Sequence, residues 1–222
     1  MTKPEHLARN NVILLVCLLI LILFYPLFEA GRSLVRDLLL SAVFLSGIFS
    51  LEFSARVRTF LVPLAILTVG TTWIHHFIEG RLLYLIDFGT TSVMLAVIVV
   101  LMIRHIARSR LVTPTIILSS VNGYLLLGVL GAVLLSIADA VHRFVNGAES
   151  AGIVIPGRGS LEFSDYLYFA FITLSTVGYG DVTAVSHLTR SVAILIGLAG
   201  PLYMTILIAM LVGKFSADQD GK

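Results

Sequence analysis

A chain of 222 residues that is 58% hydrophobic and only 13% charged carries more apolar surface than a water-soluble fold of this size can bury, so its main solvent is expected to be lipid. A net charge of +2 is nearly balanced and gives no footing for a nucleic-acid partner. Cys17 is the single cysteine, which excludes disulfides within the chain, and in the first apolar run it reads as a small apolar residue without a reactive role.

Crossing a hydrocarbon core of about 30 Å takes roughly 20 helical residues. Runs of that kind lie at Val12–Phe28, Val35–Phe53, Phe60–Ile78, Leu83–Ile103, Thr115–Ala138 and Leu188–Val212, so the expected architecture is all-α with six transmembrane helices and both termini on one side. The first run is too long for the apolar region of a secretory signal, and Pro26 to Arg32 show no small-x-small cleavage site, so it reads as a retained helix. Lys3, Arg9, Arg56, Arg58, Arg104, Arg108, Arg110 and Lys214 would share one face of the membrane. Arg32, Arg36, Arg81, Arg143, Arg158 and Arg190 would share the other. This modest excess favours cytoplasmic termini.

Between the last two runs the chain changes character. Asn146 to Ser160 is polar and glycine-rich, whereas Leu161–Ser175 is apolar and aromatic. The helix within that second stretch is too short to cross, so it is expected to be re-entrant and covered by surrounding protein. Ser164 is its expected N-cap, with Asp165 in the first turn near the positive end of the helix dipole. The chain therefore divides into a four-helix transmembrane domain, 1–110, and a second domain, 111–222, with an outer helix, a short helix, a loop and an inner helix.

The string Thr173-Leu174-Ser175-Thr176-Val177-Gly178-Tyr179-Gly180-Asp181 follows the short helix. It resembles the potassium-channel signature TxxTVGYGD at every defining position. The resemblance implies a selectivity filter over Thr176, Val177, Gly178, Tyr179 and Gly180, in which backbone oxygens of Thr176, Val177, Gly178 and Tyr179 replace the hydration shell of K+. Successive carbonyls of a strand alternate sides, so aiming them all at one axis requires alternating positive φ, which Gly178 and Gly180 accept without a Cβ clash. Val177 and Tyr179 would then turn into surrounding helices, and Thr176 would add a hydroxyl oxygen at the cytoplasmic end. Five such residues span roughly 12–15 Å, room for several ions in single file.

The same resemblance, running from Thr115 to Phe215, implies further roles. Thr173, Tyr168, Phe169 and Asp181 would support the filter, and Gly197, Gly200 and Pro201 would mark a bend in the inner helix. Small residues there would equally serve close helix packing, and both readings stand. Tyr168 and Phe169 replace a tryptophan pair found in several relatives, and Ile172 replaces a glutamate found in some bacterial ones. One chain carries one filter strand, so a closed ring implies a homotetramer in contact with membrane lipid, with K+ as permeant ion and no cofactor.

The front helices lack the arginine ladder of a voltage sensor: no Arg or Lys lies between Leu82 and Ile103, and Arg104, Arg108 and Arg110 come after that run. Asp87 is acidic inside an apolar run and calls for a buried partner, while Glu52 reads as interfacial. Adjacent His75 and His76 point to different helix faces and make a poor metal pair. With His142 and His187 they would give an outer surface sensitive to protons or zinc, set against a purely structural role. Asn122 is expected to hydrogen-bond between helices. No spaced metal ligands, nucleophile triad or phosphate loop suggests an enzyme. The expected function is passive, potassium-selective conduction across a plasma membrane without steep voltage gating. The competing readings are a weakly selective cation channel and a non-conducting membrane sensor.

Overall fold

The computed structural model describes residues 3–27, 33–50, 55–78, 80–109, 112–147 and 149–220. Helix α1 spans Lys3–Leu19 and continues as a π-helical turn, Ile20–Phe24, and a tight turn, Tyr25–Leu27. Pro26 lacks the N–H that would continue a regular helix there. Then come α2 (Ser33–Phe49), α3 (Ala55–Phe77), α4 (Arg81–Arg108) and α5 (Pro114–Asn146). Strand β1 (Ile153–Val154), α6 (Phe163–Leu174), β2 (Thr183–Ala184) and α7 (His187–Asp220) complete the order. The two strands pair antiparallel, Ile153 against Ala184 and Val154 against Thr183.

Among the described residues, four helical stretches are long and apolar enough to cross a membrane: His6–Leu27, Leu82–Arg108, Pro114–Asn146 and His187–Lys214. The expected second and third spans are helical as α2 and α3, but their apolar stretches are shorter. α2 has 17 residues, about 25 Å at 1.5 Å per residue. The apolar part of α3 is Thr59–Ile74, with Pro63 inside the helix. Phe28, Arg32, Glu52, Phe53 and Arg110 lie outside the described residues, as do the side chains of Lys3, Arg56, Arg58, His75, His76 and Arg81.

Helix α5 is the centre of the packing, in contact with α1, α4, α6 and α7. Leu126, Val129, Ala132, Val133 and Leu135 are buried along it. Gly128 lets α6 approach closely, since a Cβ there would stand 2.4 Å from the Phe171 ring.

Two polar tethers hold α5 to the front helices, one toward each end. Toward its start, Asn122 Nδ2 donates to the Asn11 carbonyl at 2.9 Å, and Ser119 Oγ donates to Asn11 Oδ1 at 3.1 Å. Asn11 in turn donates to the Ser50 carbonyl at 2.9 Å, and Asn10 to the Phe49 carbonyl at 2.8 Å. These asparagines satisfy carbonyls that the end of α2 leaves without a helical partner. Asn122 thus bonds between helices, in agreement with the sequence. Toward the hairpin, Tyr84 Oη and Ser136 Oγ are 2.5 Å apart. The Phe163 ring, at the start of α6, meets Tyr25 and Phe88 edge-on at 6.1 and 6.2 Å. The Arg36 guanidinium lies 5.5 Å from the centroid of Phe88.

Asp87 is buried and accepts a 2.6 Å hydrogen bond from Thr72 Oγ1, which joins α3 to α4. Cys17 is half-buried against the core. His142 is engaged with Ser150 Oγ at 2.9 Å, while His187 is exposed.

Candidate functional site

The site begins where α6 begins. Ser164 lies inside the helix, and the N-cap is Glu162, with an extended backbone at φ −106° and ψ 168°. Asp165, three residues on, reaches back and accepts from the Glu162 N–H at 3.0 Å. Asp165 also pairs with Arg158 from the preceding glycine-rich segment. The expected cap is therefore displaced by two residues, because Glu162 and Asp165 form a reciprocal capping box in which each side chain accepts from the other's backbone N–H. Asp165 lies in the first turn as expected.

Helix α6 is twelve residues long and ends in a tight reversal. The N–H groups of Val177 and Gly178 both donate to the Ile172 carbonyl, at 2.9 and 3.0 Å. Thr176 N–H donates to the Thr173 carbonyl at 3.1 Å, and Ser175 Oγ to the Phe171 carbonyl at 2.7 Å. Beyond this reversal the backbone alternates: Thr176, Gly178 and Gly180 have φ of +61°, +50° and +81°. The glycines take the positive φ that their lack of a Cβ allows. Thr176 extends the alternation one residue earlier than the glycine pattern indicates, and a β-branched residue adopts this conformation only where its surroundings impose it.

The side chains between these positions stand out from the chain. Val177 is 51% exposed and Tyr179 is 73% exposed. The sequence reading turns them into surrounding helices, whereas among the described residues of one chain both stay exposed. Asp181, after the last glycine, accepts a 2.7 Å hydrogen bond from Tyr168 Oη and a 3.1 Å bond from the Val182 N–H. The bond to Asp181 holds the Tyr168 phenol above its usual titration range. Phe169 and Ile172 of α6 are buried.

Helix α7 runs unbroken through Gly197, Gly200 and Pro201. Gly200 is buried against the end of α6, and a Cβ there would stand 1.9 Å from the Leu174 carbonyl oxygen. Of the two readings open for Gly200, close packing has a direct contact behind it. A Cβ on Gly197 would meet Thr173 Cγ2 at an ordinary 3.7 Å. Pro201 is exposed. The structure thus gathers Thr173, Gly197 and Gly200 on one side of the loop and Tyr168 and Asp181 on the other.

One polar residue that organises this region escapes sequence reasoning. Asp139 of α5 is 1% exposed and accepts four hydrogen bonds. Oδ1 receives the N–H groups of Gly152 and Ile153 at 2.6 and 3.2 Å. Oδ2 receives Tyr166 Oη and Arg143 Nε, both at 2.8 Å. Burial pushes the Tyr166 phenol far above its usual range, and the Asp139 carboxylate adds to the shift, so the phenol stays a donor. Gly152 is further held by Thr189 Oγ1, which donates to its carbonyl at 2.7 Å. One carboxylate thereby joins α5, the hairpin and α6, and Gly152 extends the link to α7. The sequence signal is the spacing of Asp139 and Arg143, four residues apart and so on one helix face.

Residues 124–217 match the model of a family described as ion channel. The match takes in most of α5, the hairpin, α6, the Thr173–Asp181 loop and α7 as far as Ala217. No curated protein and no solved structure matches the chain.

Proposed function

We propose that the chain is one subunit of a homotetrameric, potassium-selective channel that conducts passively through residues 176–180. The similarity of residues 124–217 to the ion channel family supports passive ion conduction in a membrane. Potassium selectivity is our own step beyond it. The observation that carries this step is the alternation of positive φ at Thr176, Gly178 and Gly180. Such alternation lets successive carbonyls face one side, and four strands around an axis then offer a dehydrated cation rings of oxygen ligands.

The tetramer accounts for what one chain leaves uncovered. Val177 and Tyr179 are apolar or aromatic, stand exposed, and border a loop whose own helix packs on its other side. Neighbouring copies would cover these side chains and fix the width of the ring. The C-terminal end of α6 adds partial negative charge beside the loop, roughly half an elementary charge per helix before screening. Asp181 adds a carboxylate at the other end of the string. In this reading the subunit crosses a plasma membrane six times, with cytoplasmic termini and α2 and α3 as short spans.

Reconstitution of the purified chain in planar bilayers tests the proposal. The expected result is a current whose reversal potential follows the potassium gradient, by about 59 mV per tenfold change, and ignores sodium. A reversal potential indifferent to sodium–potassium exchange would make it a weakly selective cation channel. Absence of flux from a folded, tetrameric preparation would favour a non-conducting sensor.

A further inference from the structure

Where α4, α5 and α7 meet, at the end of the molecule away from the β-hairpin, a cavity of about 230 Å³ opens between the helices. Ile103 and Ile106 of α4, Leu127 of α5, and Tyr203, Leu207 and Met210 of α7 line it. The one hydroxyl among them is already engaged, since Tyr203 Oη donates to the Ser120 carbonyl at 2.8 Å. A water here would find none of the two to four polar partners it needs. An empty cavity would forfeit the dispersion contacts of its walls. The space has room for several methylenes of an apolar chain.

The cavity has a charged end. Lys214 lies four residues beyond Met210 on the same face of α7, and its Nζ donates to the carbonyls of Ile106 and Ala107 at 2.6 and 3.2 Å. An ammonium has three donors, and among the described residues these two carbonyls engage two of them. Arg104 and Arg108 are exposed on the last turns of α4, at the same membrane level.

We propose that this cavity holds one acyl chain of an anionic phospholipid, with its phosphate on Lys214 and within the field of Arg104 and Arg108. An acyl chain leaving the bilayer gains no hydrophobic energy, because lipid tails are as apolar as the cavity. Selection must therefore come from the head group, and the charge at this end favours a negative one. The occupant would hold α7 against α4 and α5 where Lys214 joins them. The proposal rests on the chain residing in a bilayer and not on potassium conduction, so its readout is lipid retention and not current.

The test is native mass spectrometry of the full chain, purified in neutral detergent and incubated with equal amounts of phosphatidylglycerol and phosphatidylcholine. Wild type should retain phosphatidylglycerol over phosphatidylcholine by more than about fivefold, since one lysine near an anionic head group is worth that factor and Arg104 and Arg108 add to it. Lys214→Gln should lower the ratio about fivefold while total lipid changes little. Ala199 of α7 also lines the cavity, so Ala199→Phe intrudes into it and should reduce retention of both lipids. Equal retention by wild type, or an unchanged ratio in Lys214→Gln, would overturn the proposal. So would an Ala199→Phe variant that keeps its lipid but loses subunit association, since a second copy of the chain would then be the occupant. Should Ala199→Phe fail to fold, Lys214→Gln alone decides.

Discussion

The phenol of Tyr168 donates a 2.7 Å hydrogen bond to the carboxylate of Asp181. It links the middle of α6 to the residue that follows the last glycine of the loop, behind the backbone that alternates in φ. Replacing Tyr168 with phenylalanine keeps the ring and removes the link. Sustained potassium current should decline faster in Tyr168→Phe than in wild type during a prolonged step. Asp181→Asn should behave similarly, and the double variant should be no worse than either, as for two members of one bond. The phenol titrates above its usual value of about 10, because the neutral form is the donor. The link is therefore fully present below that pH and lost as pH rises through the higher folded value. Current stability should show this alkaline loss in wild type and lack it in Tyr168→Phe.

Gly200→Ala should prevent proper seating of α7 on α6. Its Cβ would stand 1.9 Å from the Leu174 carbonyl oxygen, and backbone on both sides leaves nothing soft to yield. Overpacking of this kind costs about 1–3 kcal/mol or more, read as a lower thermal midpoint and a reduced yield of assembled protein. Gly197→Ala has 3.7 Å of clearance and should be near neutral in stability. A Gly200→Ala protein of normal stability with altered opening alone would favour the hinge over packing.

Asp139→Asn should loosen the whole hairpin side. The neutral amide cannot accept at both oxygens, so it leaves either the Gly152 and Ile153 N–H groups or Tyr166 and Arg143 without an acceptor. Removing one partner of a buried ion pair costs about 3–5 kcal/mol, and the 24% exposure of Arg143 places the expected loss toward the lower end. Tyr166→Phe removes one donor and should cost about 1 kcal/mol. Thermal unfolding in detergent distinguishes the two.

The tether between α1 and α5 should respond unequally from its two sides. Asn11→Ala removes the side-chain oxygen that accepts from Ser119 and the amide that donates to the Ser50 carbonyl, and leaves Asn122 only its bond to the backbone carbonyl of residue 11. Asn122→Leu also removes an amide oxygen that has no partner among the described residues, which offsets part of the loss. Interhelical bonds of this kind contribute about 0.6–2 kcal/mol in membranes. Asn11→Ala should therefore lower the thermal midpoint more than Asn122→Leu.

Conductance should depend only shallowly on voltage. Helix α4 carries no Arg or Lys between Leu82 and Ile103, and each charge moved across the field is worth about 2.3 kcal/mol per 100 mV. Several gating charges per subunit in a conductance–voltage curve would contradict this.

What the sequence reveals here is what local composition determines. Apolar runs announce helices, and the positive φ of Gly178 and Gly180 follows from their lack of a Cβ. The end of α5 is not legible in the same way. Its apolar run stops at Ala138, yet the helix continues to Asn146, because Tyr166, Arg143 and the hairpin amides satisfy Asp139. Polar Asn10 and Asn11 likewise lie inside α1, since the end of α2 offers them carbonyls. The packing role of Gly200 is set by a neighbour distant in sequence, the Leu174 carbonyl, and no local pattern marks it. The cap at Glu162 escapes a local reading because Asp165 acts from three residues downstream.

The two tethers of α5 bear on how the protein meets bilayers of different thickness. Residues 122 and 139 are ~26 Å apart along the helix at 1.5 Å per residue, close to a hydrocarbon core of about 30 Å. Asn11 fastens α1 near one of these levels, and the Tyr84–Ser136 contact fastens α4 near the other. Helix α5 cannot tilt to meet a thinner membrane without carrying both neighbours with it. Hydrophobic mismatch, which costs a fraction of a kcal/mol per Å, would therefore act on α1, α4 and α5 as one block, and α7 would take up the difference at its contacts with α6.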